Sequence, residues 1–515
     1  MADNRDYDAI IIGSGHNGLV CAGYLAKAGK QVLVVERRSI IGGAAISEEL
    51  FPGYRLSSCS YICHLLQSKV INDFELPRHG FEVFNINPTR FCPYLDRRHL
   101  LLWDSDEETQ NHMAKFSRAD ADAYPRWLDF WKRAAGLIYP YFLKLPPSMD
   151  ELRANVQGTA DEPLLERLLT VSMKELVTEF FEDESIRGAF ISTQDVGDPS
   201  APGSAWCYNY FMCSLFSRPE HVGLVKGGMG SITQALASSV KAEGVVIKTD
   251  AAVERIMIEN NNAIGIRLEG GAEITSKVVV SNADPKRTFF TLIDQDQLPD
   301  NYFQKIKKLK TEVSYLKFHA ALNRLPDFSQ FFKGDYDPKY LAMTKISPSI
   351  EYLEKSWNDA SMGRPARAPV MEVQIPSVYD TTMAPAGHHV LSIWMLYAPV
   401  HLADGNWEGR REEVGESVID SLAQYAPDIK DCIVDWSLFT PWDIEQRVGL
   451  TDGNIRHLDI VPDQFLDKRP LMGWAGYNTP IKDLYLCGGG THPGGEVTGA
   501  PGHNAAHVIL KEQGD

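Results

Sequence analysis

Three glycines near the start of the chain, Gly13, Gly15 and Gly18, are spaced as GxGxxG. The pattern alone is weak, but a short apolar run precedes it and a helical pattern follows it, which is the context that phosphate binding requires. Gly13 permits a tight turn, Gly15 lets a diphosphate approach the backbone, and Gly18 lets the helix pack closely on the strand. The helix would then direct free N–H groups and its positive dipole end at the phosphates.

An acidic residue, Glu36, closes the next apolar run, 18 residues after Gly18. Its carboxylate can accept hydrogen bonds from a ribose diol and would repel a 2′-phosphate, so FAD or NAD is favoured over NADP. Ser14 and Asn17 lie between the glycines, and we assign them to the same site. A strand–helix–strand unit without a ligand is the alternative interpretation.

A second glycine pair, Gly42 and Gly43, follows Glu36. This resembles the extended fingerprint of flavoproteins, in which a second glycine turn lies along FAD, and it favours FAD over NAD. The arginines often found before and after such a pair are replaced here by Ile40 and Ala44. We assign Ala44 and Arg37 to the cofactor site. Either Arg37 or Arg38 supplies the missing positive charge, or both are solvated.

A glycine-rich loop at residues 489–499 lies between a short apolar run and a final helical pattern. It resembles the closing segment of FAD-dependent amine oxidases and phytoene desaturases, where the loop follows the ribityl chain and the helix begins at the flavin N1/O2 edge. A helix N-terminus there stabilises the negative charge of reduced flavin. The resemblance assigns five loop residues to FAD: Gly489, Gly490, Val497, Thr498 and Gly499.

A mid-chain segment begins with a glycine cluster at residues 227–230 and continues as a helical pattern and several strands. In the same superfamily this segment completes the FAD domain. The residue that matches Val253 pairs with the adenine through its backbone, and we extend that role to Val253.

These stretches together identify the family that the chain resembles. IIGSGHNGLVCAGYLAKAG, GLVKGGMGSITQALASS, DGNIRH and LYLCGGGTHPGGEVTGAPGHNAAHV are similar to the family of the pyridine nucleotide-disulfide oxidoreductase domain-containing protein 2. That family lies within the phytoene desaturase and carotenoid isomerase branch of FAD-dependent, amine-oxidase-like flavoproteins. A dithiol redox centre, which the family name suggests, needs two nearby cysteines. The chain has no CxxC pair, and Cys59 and Cys63 are a weak candidate.

Two side chains are candidates for catalysis. His492 lies in a Thr-His-Pro-Gly loop that phytoene desaturases carry close to the isoalloxazine. It could act as a general base or as a hydrogen-bond donor to the flavin, or it could only shape the loop. Lys317 interrupts a largely apolar strand, residues 313–322. A buried lysine needs a partner, and amine oxidases place a lysine near flavin N5; an exposed lysine on an edge strand is the alternative.

The elements that must position these residues indicate an α/β fold. We expect a discontinuous Rossmann-like FAD-binding domain with a mixed α+β substrate domain, as in the p-hydroxybenzoate hydroxylase and amine oxidase architecture. The FAD-binding domain is predicted at residues 1–70, 222–300 and 470–515. The substrate region is predicted at 71–221, mostly helical, and at 301–469, a sheet plus helices.

Composition limits the environment and the partners. The net charge of −17 argues against a nucleic-acid partner. No apolar stretch reaches 18 residues, no signal-peptide pattern is visible and the cysteines are scattered, so we expect a cytoplasmic protein. Seven aromatic residues predict either the core of a helical region or a lid that makes peripheral contact with a membrane: Tyr124, Trp127, Phe130, Trp131, Tyr139, Tyr141 and Phe142.

The resemblance implies an FAD-dependent oxidoreductase. We expect it to dehydrogenate a hydrophobic, unsaturated small molecule, such as a polyene, lipid or carotenoid, by hydride transfer to flavin N5. A redox-neutral, flavin-dependent isomerase and a flavin-bound interaction protein with little turnover are the alternatives.

Overall fold

The computed structural model of the chain describes residues 6–192 and 196–514. The strands of these residues are β1 Tyr7–Ile12, β2 Val32–Val35, β3 Ser47–Phe51, β4 Tyr54–Ser57, β5 Val83–Phe84, β6 Arg90–Pro93, β7 His99–Leu102, β8 Leu224–Val225, β9 Val246–Lys248, β10 Val253–Glu259, β11 Asn262–Leu268, β12 Glu273–Ser281, β13 Ser314–Leu322, β14 Thr344–Ile346, β15 Val370–Gln374, β16 His389–Ala398, β17 Ile433–Phe439 and β18 Leu484–Leu486. The α-helices are α1 His16–Lys27, α2 Ser68–Asp73, α3 Asp106–Met113, α4 Arg118–Ile138, α5 Met149–Val156, α6 Glu162–Leu168, α7 Met173–Phe180, α8 Glu184–Phe190, α9 Ser204–Met212, α10 Gly230–Ala242, α11 Pro285–Thr291, α12 Asp300–Lys307, α13 Ile350–Ser361, α14 Trp407–Ala423, α15 Ile429–Cys432, α16 Pro441–Val448 and α17 Ala500–Gln513.

A parallel sheet in the order β18–β12–β1–β2–β9 carries the glycine fingerprint. Its central strands β1 and β2 are almost entirely apolar because both faces are covered. Helices α1, α10 and α17 pack on one face, and the antiparallel β10–β11–β12 layer with α11 and α12 packs on the other. The strands of this sheet come from the beginning, the middle and the end of the chain.

A second sheet lies beside the first, in the order β17–β13–β16–β15–β14–β6–β7. All its neighbouring strands are antiparallel except β14 and β6. One face packs against α14 and α15, and the other faces the helical region α4–α9. Strands β6 and β7 come from residues 71–221, which otherwise hold mainly helices, so this sheet joins both predicted substrate segments.

The aromatic residues of the helical region form its core. Trp127, Trp131 and Phe142 are 3%, 0% and 2% exposed, so these three side chains do not form a surface patch. Within residues 6–192 and 196–514, no helix has both the length and the apolar character needed to cross a bilayer. Peripheral contact with a membrane stays a prediction.

Candidate active site

The turn between β1 and α1 has the backbone geometry that its glycines predict. Gly13 adopts φ +95°, which favours glycine. A Cβ atom on Gly18 would lie 2.3 Å from the carbonyl oxygen of Gly13, so only glycine lets the helix start this close to the strand. Gly15 caps α1 without a side-chain hydrogen bond, and the first N–H groups of the helix stay available to a ligand.

Glu36 is held in a fixed orientation at the end of β2. Its Oε2 accepts hydrogen bonds from the N–H of Ser14 at 3.0 Å and from the Ser14 hydroxyl at 2.8 Å, and its Oε1 accepts one from the N–H of Arg38 at 3.0 Å. The carboxylate is 7% exposed and lines a cavity. Its remaining lone pairs are therefore placed to accept hydrogen bonds from a ribose.

This cavity has a volume of about 510 Å³ and extends from Glu36 to the glycine-rich loop before α17. Nine of the predicted cofactor residues line it: Gly13, Gly15, Asn17, Glu36, Arg37, Gly43, Ala44, Val253 and Gly489. Seven others lie outside its lining: Ser14, Gly18, Gly42, Gly490, Val497, Thr498 and Gly499. Two of these seven residues still shape the cavity. Ser14 orients Glu36, and Gly18 lets α1 approach Gly13.

Two arginines bring positive charge to the cavity beside Glu36. Arg37 donates a hydrogen bond to the backbone oxygen of Gln446 at 2.8 Å, so it is not simply solvated. Burial lowers the pKa of Arg37, and the neighbouring Arg287 lowers it further. Both side chains line the cavity, as do those of Arg38 and Arg447.

The two ends of the chain meet at this cavity. Gly499 caps α17 with φ +73°, and a Cβ atom there would contact Val20 of α1 at 3.4 Å. A Cβ atom on Gly502 would lie 2.1 Å from the backbone oxygen of Asn17. Helices α1 and α17 therefore pack with almost no space between their backbones.

A buried ion pair lies at the end of the cavity away from Glu36. Arg456 Nη2 is 2.5 Å from Glu496 Oε1, and His64 Nε2 is 3.5 Å from Glu496 Oε2. Burial alone would raise the pKa of Glu496, but Arg456 and then His64 outweigh it and lower the pKa to about 2. Glu496 is thus a permanent anion in the lining.

Two histidines of the lining are neutral at ordinary pH. Burial lowers the pKa of His16 to about 4 and that of His457 to about 3. Three buried atoms of lining residues have no hydrogen-bond partner in the described part of the chain: His16 Nε2, Asn17 Oδ1 and His457 Nδ1. Buried polar atoms are normally satisfied, so these three indicate a polar ligand.

The two predicted catalytic side chains lie outside the cavity lining. His492 is 1% exposed and its Nε2 is 2.9 Å from the backbone oxygen of Tyr141, in the helical region. Burial lowers its pKa to about 4. A catalytic role for His492 stays a prediction, and its observed contact joins the loop to the helices.

Lys317 lies on β13, an interior strand of the second sheet, and is 2% exposed. Its Nζ donates a hydrogen bond to the hydroxyl of Ser392 at 2.8 Å and lies 5.4 Å from the ring centre of Tyr61 and 5.5 Å from that of Trp394. Burial lowers the pKa of Lys317 to about 7. It is not the exposed lysine of an edge strand.

Comparisons with known proteins agree with this geometry. Residues 18–510 match the family described as flavin containing amine oxidoreductase. The pyridine nucleotide-disulfide oxidoreductase domain-containing protein 2 of Rattus norvegicus is 34% identical, over 98% of this chain and 94% of its own. The chain belongs to this flavoprotein family.

More distant relatives extend the comparison. The phytoene desaturase (lycopene-forming) of Pantoea ananas is 25% identical, over 97% of this chain and 98% of its own. A solved structure of putrescine oxidase bound to putrescine covers 98% of both chains with a TM-score of 0.60 at 15% identity, which shows the fold alone. The predicted resemblance and fold class are confirmed, and the protein is an FAD-dependent oxidoreductase.

The cavity fits FAD. With FAD bound, the N-terminus of α1 would hold the diphosphate, Glu36 the adenosine ribose and Val253 the adenine, while Gly489 and Gly495 of the glycine-rich loop would border the ring. The three unsatisfied atoms supply polar contacts. FAD, when bound, accepts a hydride, and the remaining chemistry belongs to the protein's own residues.

Sequence analysis missed Arg456 and Glu496 as functional candidates. Glu496 is the only acidic residue of the loop at 489–499, and that isolation among glycines was a usable signal. Arg456 gave none, because its partners are brought to it by tertiary packing: Glu496, and the rings of Phe211 at 5.5 Å and Trp394 at 6.0 Å.

Proposed function

We propose that the protein dehydrogenates a hydrophobic, unsaturated small molecule. The phytoene desaturase relative supports a substrate of this class. The observation that carries the proposal is the aromatic pair of Tyr61 and Trp394, whose ring centres lie 5.2 Å apart. Arg456 and Lys317 both lie beside the Trp394 ring, at 6.0 Å and 5.5 Å from its centre.

Lys317 disfavours a protonated amine as the substrate. A substrate ammonium beside Lys317 would be repelled wherever both amines are protonated, because like charges repel strongly where water is excluded. Arg456 adds no net charge, because Glu496 pairs with it. By contrast, Tyr61 and Trp394, with ring centres 5.2 Å apart, offer flat surfaces to an unsaturated chain.

The residues at the ring end can take part in a balanced dehydrogenation. FAD, when bound, would accept a hydride from one C–H bond of the substrate, and the adjacent carbon would lose a proton as the new C=C bond forms. The carboxylate of Glu496 lines the cavity, and its Oε2 is not the oxygen that binds Arg456 Nη2. We assign the Glu496 carboxylate as the anion that stabilises positive charge on the substrate, and the proton passes to solvent water.

Anaerobic mixing of the holoenzyme with phytoene, limonene and putrescine tests the proposal. We expect the unsaturated hydrocarbons to bleach the flavin band and putrescine to leave it unchanged. A product without net bleaching would replace dehydrogenation by isomerisation. Bleaching by putrescine alone would contradict the charge argument, and no bleaching by any compound would favour a flavin-bound interaction protein.

A further inference from the structure

A row of ionisable side chains crosses the second sheet on the face that points toward the helical region. Lys317 on β13 pairs with Trp394 on β16, Trp394 pairs with Glu372 on β15, and Glu372 pairs with Lys345 on β14. Directly paired residues of neighbouring strands project to the same face of a sheet. Three of these four side chains are therefore ionisable groups inside the protein, each at most 3% exposed.

Arg90 on β6 continues the row. Its Nη2 lies 3.5 Å from Glu372 Oε2, a long contact for an ion pair. The Arg90 side chain keeps 28% of its surface accessible, against 2% for Glu372. Of the two partners, only the Arg90 side chain is therefore accessible to a ligand. We call Arg90, Lys317, Lys345 and Glu372 the cationic row.

The cationic row carries more positive than negative groups among the described residues. It has three basic side chains and one carboxylate, whereas Arg456 beyond it is balanced by Glu496. The Nζ of Lys345 donates to the backbone oxygens of Ala189 and Ile191 at 2.9 Å and 2.8 Å, which solvates that ammonium without neutralising it. Burial lowers the pKa of Lys317 to about 7 and that of Lys345 to about 8, so the excess charge is present in full only below about pH 7, where an anionic ligand would offset the cost of burying it.

The row and the cofactor cavity are joined by the aromatic pair of Tyr61 and Trp394. Lys317 lies within 5.5 Å of both ring centres, and Trp394 also contacts Arg456, whose partner Glu496 lines the cavity. A substrate could therefore lie with its unsaturated part along the two rings and its polar end at the row.

We propose that the cationic row binds a carboxylate of an amphipathic, unsaturated substrate, with Arg90 as the accessible anchor. The planar guanidinium group matches a carboxylate with two parallel hydrogen bonds. This inference rests on the proposed dehydrogenation and narrows its substrate from a pure hydrocarbon to an unsaturated acid. Arg90 is then a specificity-determining residue distant from the reacting bond.

A matched pair of probes tests the inference on the holoenzyme. Geranate is an unsaturated acid, and myrcene is a hydrocarbon with the same number of carbon atoms. Each is titrated anaerobically while the shift of the flavin spectrum reports binding. We expect geranate to bind at least about tenfold more tightly than myrcene, which corresponds to about 1.4 kcal/mol.

Variants of Arg90 separate the charge from the apolar contacts. Arg90→Gln should remove the preference for geranate and leave myrcene binding unchanged, and Arg90→Lys should restore part of it. Arg118→Gln, at a side chain that is 81% exposed, is the matched control and should keep the full preference. If Arg90→Gln folds poorly because Glu372 is left unpaired, the double variant Arg90→Gln/Glu372→Gln removes both charges together, with the same expected loss.

The outcomes distinguish this inference from the proposed function. Three results would overturn the carboxylate site. They are equal affinities for geranate and myrcene, a preference for geranate that survives in Arg90→Gln, and no binding of any unsaturated acid from six to eighteen carbons. Flavin bleaching is read separately in the same titrations. If geranate binds preferentially but no compound bleaches the flavin, the proposed dehydrogenation is refuted and the carboxylate site is supported. If hydrocarbons bleach the flavin and acids bind no more tightly, the dehydrogenation is supported and the carboxylate site is refuted.

Discussion

The contact between α1 and α17 offers a direct test of how the two chain ends build the cofactor site. Gly502 is the third residue of α17. A Cβ atom there would lie 2.1 Å from the carbonyl oxygen of Asn17 and 2.9 Å from its carbonyl carbon. Both are backbone atoms, so Gly502→Ala must move one helix away from the other. Asn17 lines the cavity, and we expect this movement to reach the bound FAD.

Two opposing effects set the size of the change. Alanine favours a helix interior over glycine by about 1 kcal/mol, which would stabilise the variant if space were available. Overpacking costs about 1–3 kcal/mol, and a contact at 2.1 Å is far inside the 3.4–4 Å of ordinary packing, which places this site at the upper end. We expect the free energy of unfolding to fall by about 1–2 kcal/mol. Each 1.4 kcal/mol by which the substitution destabilises the FAD complex relative to the apoprotein should weaken the affinity for FAD about tenfold.

The assay measures the Kd of FAD by fluorescence titration of the apoprotein and the Tm of the holoprotein. Gly136→Ala in α4 is the matched control, because its nearest neighbour is Phe216 Cζ at 4.0 Å and its backbone is helical. The control should bind FAD normally and be slightly more stable. If Gly502→Ala behaves as Gly136→Ala does, the close packing of the chain ends is refuted.

Three further predictions concern Glu36, Lys317 and the cysteines. Glu36→Gln should weaken FAD binding about tenfold to a hundredfold, because hydrogen bonds to a charged acceptor contribute about 1.5–3 kcal/mol. Fluorescence titration measures the Kd of FAD for this variant and for the control Glu243→Gln. Equal Kd values for the two variants would exclude the ribose contact. Lys317→Met removes a buried amine. Burial lowers the pKa of this amine to about 7 in the folded protein, so above pH 7 the unfolded chain binds more protons than the folded chain does. The free energy of unfolding of the wild type, from urea titrations at pH 7, 8 and 9, should therefore rise relative to the variant by about 1.4 kcal/mol per pH unit, and a constant difference would contradict the shift. All eight cysteines are buried and free, so Ellman's reagent should find no fast thiol in the native protein and eight after denaturation, whereas two fast thiols would indicate a dithiol centre.

The cofactor half of the site was predictable from the sequence because its constraints are local. Gly13, Gly15 and Gly18 are fixed by one turn, and Glu36 ends the strand that follows the same helix. The spacing therefore defines the geometry almost alone. Of the five loop residues assigned to FAD only Gly489 lines the cavity, and Gly499 instead starts the helix that packs on α1.

The substrate half was not predictable because strand register and tertiary packing create it. Lys317 and its acceptor Ser392 are 75 residues apart, and Glu372 meets Lys345 only through the pairing of β14 and β15. His492 shows the opposite case. It lies in the expected loop, but its side chain binds the backbone of Tyr141, since membership of a loop does not fix the direction of a side chain.

The charged groups beside the cofactor cavity and those of the cationic row respond differently to pH. Near neutral pH, Glu496 stays ionised because Arg456 and His64 hold its pKa near 2, and burial keeps His16 and His457 uncharged. These three lining groups therefore present the same charge to bound FAD throughout this pH range. The cationic row differs, since burial brings the pKa of Lys317 to about 7 and that of Lys345 to about 8. A change of pH in this range therefore acts through the row, where we place substrate recognition, and leaves the charge of the three cofactor-side groups unaltered.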